Sequence, residues 1–157
     1  MAAEFVNNEE QLVASGSNLL LLDSIKCPYG YVVHDNGTGI ISLKYVSKNV
    51  PVCRCSTPMT NYRVTCNCNI AIPTGGTVGA IAIAIAENGE EIPTSKAIVT
   101  PAAVEEFWNV SVDKIISVPY GCCPSIAIEN VLPGIDPATE VGQAILVRNL
   151  NVVISMA

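Results

Sequence analysis

The segment that most constrains the fold is an unbroken alternation of alanine and isoleucine over residues 80–86. Successive side chains of a β-strand point to opposite faces. These side chains are Ile81, Ile83 and Ile85 on one face, and Ala82 and Ala84 on the other. Because both faces are apolar, we expect the isoleucines to fill a core and the alanines to let a second layer, or a second subunit, approach closely. The pair Asn88-Gly89 follows directly and favours a tight hairpin turn, because both residues tolerate positive φ.

The rest of the chain has the pattern of further strands separated by turn residues. The run 35–39, Asp-Asn-Gly-Thr-Gly, indicates another hairpin. Roughly eight to ten strands with little helical periodicity predict an all-β fold, an antiparallel sandwich or jelly roll. Residues 1–10 are mostly polar and acidic, and we expect an N-terminal arm there. Residues 11–157 then form a single domain.

Composition excludes some classes of function. The net charge of −6 argues against nucleic-acid binding, which needs a basic patch. The N-terminus lacks the basic and apolar regions of a secretory signal, and the longest apolar runs are too short to span a membrane. We therefore expect a protein made in the cytoplasm without membrane contact. Because 50% of the residues are hydrophobic and only 14% are charged, part of the surface is expected to be hidden in an assembly.

The seven cysteines form a distinctive pattern: Cys27, Cys53-x-Cys55, Cys66-x-Cys68 and Cys122-Cys123. A hairpin over residues 52–69, turning near residues 60–61, would place Cys53 opposite Cys68 and Cys55 opposite Cys66. Three states are then open for this cluster: buried thiols acting as small apolar groups, two cross-strand disulfides, or a four-thiolate zinc site. The adjacent pair at 122–123 is expected not to form a bond with itself.

No catalytic group stands out. His34, the single histidine, lies at a predicted hairpin tip without a neighbouring nucleophile. The carboxylates Glu87, Glu90 and Glu91 are clustered as a calcium site would require, but also as a solvated hairpin tip would be. Trp108 could serve an interface or a sugar platform. We predict neither an enzyme nor a cofactor.

The order of segments resembles the tumour-necrosis-factor and complement-globular-head type of jelly roll. The resemblance covers about residues 11–157 and is carried by a strand ending near Tyr62-Arg63-Val64 and by five further segments. These segments are IAIAIAENG at 81–89, IPTS at 92–95, IISVPYG at 115–121, IAIEN at 126–130 and the terminal LNVVI at 150–154. The chain is most similar to small phage virion proteins and to the C-terminal domains of exosporium collagen-like proteins.

This resemblance implies a compact homotrimer with apolar strands around the threefold axis. The candidates for trimer interface or core are Ile81, Ile83, Ile85, Ala82, Ala84, Trp108 and Tyr62. The expected function is that of a structural protein that decorates a virion, most simply a phage capsid, with the major capsid protein or another particle lattice as partner. Two alternatives remain open. One is a fibre head that binds a receptor or a host-surface glycan through loops 28–39 and 132–143, and the other is a disulfide-linked subunit of a spore surface or appendage.

Overall fold

A computed structural model describes residues 2–26, 30–46, 58–134 and 140–157, without the side chains of residues 25 and 26. The described residues form two six-stranded antiparallel sheets packed face to face, with a single 3₁₀ turn at Pro93–Ser95. The strands are β1 (Ala2–Asn7), β2 (Gln11–Val13), β3 (Asp23–Lys26), β4 (Val32–His34), β5 (Ile41–Leu43), β6 (Met59–Ala71), β7 (Ile81–Glu87), β8 (Glu90–Glu91), β9 (Ala97–Val99), β10 (Trp108–Pro119), β11 (Ser125–Val131) and β12 (Ile145–Met156).

The strand order is that of a jelly roll. The first sheet runs β10-β6-β12-β1-β3, with β2 also paired to β12. The second sheet runs β4-β5-β11-β7-β8, with β9 also paired to β7. From β5 onward the chain passes repeatedly from one sheet to the other, so neighbouring strands come from distant parts of the sequence. The predicted fold class, an all-β antiparallel jelly-roll sandwich, is confirmed.

The alternating segment forms β7, in the interior of the second sheet. Ile81, Ile83 and Ile85 are at most 2% exposed and join the core between the sheets. The hairpin after it has the predicted form, because Glu87 pairs with Glu90 and the two turn residues have φ of 53° at Asn88 and 84° at Gly89. The 35–39 turn also lies where predicted, between β4 and β5, with His34 paired to Ile41.

The alanine face of β7 is covered by the same chain. Ala82 and Ala84 are fully buried. The register places β9 on one side of β7 and β11 on the other, because Ala82 pairs with both Ile98 and Val131. Lys96 precedes β9, yet its Nζ donates hydrogen bonds to carbonyl oxygens just beyond the end of β11. The lysine side chain therefore spans β7 on the side that carries the alanines, from β9 to the end of β11.

The prediction of an N-terminal arm at residues 1–10 is wrong. Residues 2–7 form β1, which lies between β12 and β3 in the first sheet. Ala3 and Phe5 are 1% and 0% exposed and belong to the core. A short strand with one aromatic residue gives little local signal, and its main partner, β12, lies almost the whole chain away.

The predicted hairpin over residues 52–69 is also wrong. Residues 60 and 61 lie inside β6, which continues without a turn and pairs with β10 on one side and β12 on the other. Because β6 has one long partner strand on each edge, it forms more ladder hydrogen bonds than a local hairpin would provide. Cys53 and Cys55 lie outside the described residues.

Candidate interaction surfaces

The inward side of β6 holds the two described cysteines of the predicted cluster. Cys66 and Cys68 are fully buried and free, and they share one face of the strand. A hydrogen bond to the Cys68 thiol, together with burial, raises the pKa of Cys66 well above its ordinary value. Since the thiolate is the metal ligand and the nucleophile, such a thiol acts as a small apolar side chain. Among the described residues no group of three or more His, Cys, Asp or Glu side chains is placed to hold a metal ion.

Two other residues singled out from the sequence have structural roles. The His34 ring is half-buried, 5.4 Å from the Phe5 ring. Its Nε2 donates to the carbonyl oxygen of Thr38 at 2.7 Å. Tyr62 is 1% exposed, and its hydroxyl donates to the carbonyl oxygen of Lys44 at 2.6 Å. Burial, with a smaller contribution from Tyr31, raises the pKa of Tyr62.

Trp108 lies at the start of β10 and is 45% exposed. Its ring nitrogen donates to Glu106 at 3.3 Å. Parts of the two loops proposed for glycan contact, residues 28–29 and 135–139, lie outside the described residues.

A further candidate surface is the outward face of the four strands β10, β6, β12 and β1, which we call the neutral face. Its charged side chains are two carboxylates, Glu4 and Asp113, and two guanidinium groups, Arg63 and Arg148. Nε of Arg63 lies 3.1 Å from both carboxylate oxygens of Asp113. The hydrogen bond from this guanidinium lowers the pKa of Asp113.

The remaining charges of the neutral face also have partners. Arg148 pairs with Glu10 and stacks over the Phe107 ring at 4.2 Å from its centroid. Glu4 accepts a hydrogen bond from Asn151 at 2.8 Å. The two guanidinium groups of this face are therefore paired with carboxylates, while Glu4 is bonded to a neutral amide.

The middle of the neutral face is a cluster of paired amides. Asn67 and Asn109 exchange two hydrogen bonds of 3.2 Å. Asn67 also donates to Ser111 at 2.8 Å, and Asn109 donates to Asn69 at 3.0 Å. The cluster arises because β6 and β10 pair in register with polar residues at alternate positions, so that the amides stand side by side.

One end of the neutral face carries an exposed apolar residue beside a depression. Ile115 is 57% exposed. The depression has a volume of about 730 Å³, and Arg63, Asp113, Ile115 and Met156 are among the residues that line it. It is a shallow recess on the face of a sheet rather than a closed cleft.

The second sheet has a different outer side. Glu91 and Glu129 lie on this outer side, and Glu87 and Glu90 lie beside them at the tip of the β7–β8 hairpin. We call this region the acidic face. Lys96 lies 3.3 Å from Glu91 and is the described cation among them. Burial, and secondarily the charge of Glu91, raises the pKa of Glu129. The two sheets therefore present one compensated face and one negative face.

Sequence reasoning did not find this division. The sequence does contain a signal for the polar outer side of β6: polar residues at alternate positions from Asn61 to Asn69, with buried residues between them. Such alternation marks one side of a strand as polar but does not show whether the charges on it are matched. That requires the pairing of β6 with β10 and β12.

The strand order defines the chain as an all-β jelly-roll domain, and its two sheets carry the surfaces described above. No helix among the described residues is long and apolar enough to cross a membrane. No family model matches the sequence, and no curated protein matches it.

Comparison with solved structures gives 51 matching chains, among them the two that follow. One is the globular domain of a zebrafish complement 1qA protein, at 10% identity with a TM-score of 0.49, covering 98% of this chain and 94% of that chain. It is of the type that the sequence resembles. The other is the native virion of Kashmir bee virus at acidic pH, at 12% identity with a TM-score of 0.22, covering 98% of this chain and 72% of that one. The fold class follows from the strand order itself.

Proposed function

We propose that this chain is a non-enzymatic structural protein whose copies associate through the neutral face, as a trimer, and decorate the outer surface of a virion such as a phage head. The observation that carries the proposal is the division of charge between the two sheets. Copies of a chain with net charge −6 repel one another unless they meet where charge is compensated. The neutral face satisfies this condition, whereas the acidic face does not.

The neutral face also has the chemical character of an association surface. Its ion pairs and amides already have partners within one copy, so covering them leaves few polar groups without a hydrogen bond. Ile115 adds exposed apolar area. The trimeric stoichiometry comes from the sequence resemblance. A trimer built this way would direct its acidic faces outward, and many weak contacts of such trimers with a lattice add up through avidity.

Light scattering on the purified chain, with and without reductant, tests the association. A trimer has about three times the chain mass of 16.5 kDa in both conditions. Ile115→Asp introduces a carboxylate that association would bury, so we expect it to reduce the mass to that of the monomer. Ile98→Asp is the matched control, because Ile98 is also a strand isoleucine, is 52% exposed and lies on the second sheet.

The two variants give distinct outcomes. Dissociation by Ile115→Asp with an intact trimer in Ile98→Asp supports the neutral face. Dissociation by Ile98→Asp alone contradicts it, and a wild-type monomer at micromolar concentration refutes self-association. Decoration is tested by immunogold electron microscopy of virions released by cells that make the chain. Label on the particle surface is expected, and unlabelled particles would rule decoration out.

A further inference from the structure

Two adjacent cysteines project from the connection between β10 and β11. Cys122 and Cys123 are both exposed and free, in contrast to the fully buried Cys66 and Cys68. Within the described residues they are the thiols that an external reagent can reach. Neither belongs to a strand or to the buried core.

The connection that carries these thiols is held in place on both sides. The amide of Tyr120 donates to the carbonyl oxygen of Pro58 at 3.0 Å, and the amide of Cys122 donates to Pro119 at 3.1 Å. After the pair, the amide of Ser125 donates to the side chain of Asn88 at 3.0 Å. The thiols are therefore presented by a defined turn, which lowers the entropy lost when they react.

The pair is poorly placed to bond with itself. Consecutive Cα atoms across a trans peptide are about 3.8 Å apart, whereas disulfides usually join Cα atoms that are ~4.4–6.8 Å apart. Each thiol is therefore available for a bond to another molecule. The segment Tyr120–Ser125 contains no charged residue, and exposed Tyr120, 71% accessible, adds apolar area beside the thiols. Two such turns can meet without like charges directly opposed.

We propose that Cys122 and Cys123 form an intermolecular disulfide site whose partner is the same turn of a second copy. In the first step, the thiolate of one copy attacks a low-molecular-weight disulfide such as oxidised glutathione. A mixed disulfide forms and one glutathione thiolate leaves. The thiolate of the second copy then attacks the protein sulfur and releases the second glutathione. Two protein thiols are thus oxidised to one disulfide, and one oxidised glutathione is reduced to two thiols.

Two thiols per turn allow more than a covalent dimer. A copy with one reactive thiol can bond to a single partner, whereas a copy with both can bond to two. The site would therefore link copies, or non-covalent assemblies of copies, into larger covalent species outside a reducing cytosol. This inference does not depend on the proposed trimer.

The test is to incubate the full-length chain with oxidised glutathione at pH 8 and to follow it by non-reducing electrophoresis and by mass mapping of the linked peptides. We expect covalent dimers and larger species, all of which disappear with reductant. Cys122→Ser and Cys123→Ser should each stop at the dimer. The double serine variant should lose the covalent species that map to residues 122 and 123, while circular dichroism shows an unchanged fold.

Three results would overturn the proposal. They are an unchanged ladder in the double variant, a mapped disulfide between Cys122 and another cysteine of the same copy, or a wild-type chain that stays without intermolecular bonds. Light scattering on the same samples under reductant keeps this test separate from that of the proposed function. A non-covalent trimer without disulfides would contradict only the thiol site, and disulfide-linked monomers would contradict only the trimer.

Discussion

Truncating Lys96 should destabilise the second sheet more than the truncation of a surface lysine usually destabilises a protein. Its Nζ donates to the carbonyl oxygens of Leu132 at 2.8 Å and Gly134 at 3.1 Å and lies 3.3 Å from Glu91. Its side chain is only 11% exposed. The ammonium group therefore joins β9 to the segment after β11, and the aliphatic stem covers the alanines of β7.

The expected cost separates into two parts. A hydrogen bond to a charged group contributes about 1.5–3 kcal/mol, and water can take over part of this once the side chain is removed. We therefore expect Lys96→Met, which keeps a stem of similar length, to cost about 2 kcal/mol. Each buried methylene adds about 0.8 kcal/mol. Lys96→Ala also uncovers Ala82 and Ala84, so its total should reach about 3–4 kcal/mol.

The assay is urea denaturation followed by circular dichroism, with the midpoint compared at constant m-value. Lys114→Ala is the control, because Nζ of Lys114 bonds a single exposed hydroxyl, that of Thr94 at 2.7 Å. It should cost less than about 1 kcal/mol. If Lys96→Ala unfolds within about 0.5 kcal/mol of the wild type, a typical surface effect, the side chain does not secure the alanine face.

Two further predictions concern buried polar groups. Tyr62→Phe removes the hydroxyl bonded to Lys44 and should cost about 1 kcal/mol in urea denaturation; an unchanged midpoint would contradict this. The raised pKa of Glu129 means that the folded chain holds this proton to higher pH than the unfolded chain, so the wild type loses stability as pH rises from about 4.3 through the raised value. The free energy of unfolding of Glu129→Gln should therefore exceed that of the wild type by about a few tenths of a kcal/mol at pH 7, a small effect because the side chain is only half-buried. At pH 3.5 the two should not differ. A gain of equal size at both pH values would show that ionisation is not the cause.

The strands with a strong local pattern could be predicted from the sequence. The Ala/Ile alternation at 80–86 and the Asn88-Gly89 turn are sufficient for β7 and its hairpin, because side-chain period and turn geometry are local properties. The same holds for the turn at 35–39. The strand β1 was missed because its stability comes from pairing with β12 and from burial of Phe5, and neither is visible in a short polar stretch.

Long-range pairing also explains the other differences. The symmetric spacing of the cysteines predicts a hairpin, but spacing alone does not stabilise one. The hydrogen-bonded ladders that β6 forms with β10 and β12 stabilise a continuous strand instead. The two apolar sides of β7 were predicted correctly. What covers the alanine side depends on the register of β9 and β11, which brings Lys96 across the strand. A single sequence does not contain this register in any local window.

The amide cluster explains how one surface can be stable both exposed and covered. An apolar face of this size would make the free copy prone to aggregation, whereas unpaired polar groups would oppose association because covering them costs their hydration. Asn67 and Asn109 avoid both problems, since each side chain is already bonded within its own copy. Water can solvate the face in the free chain, and a second copy can displace that water with little loss of hydrogen bonding. In the proposed assembly, mutual pairing on β6 and β10 would allow modest apolar contacts such as that of Ile115 to drive association. The matched charges around the cluster would restrict that association to one face of the sandwich.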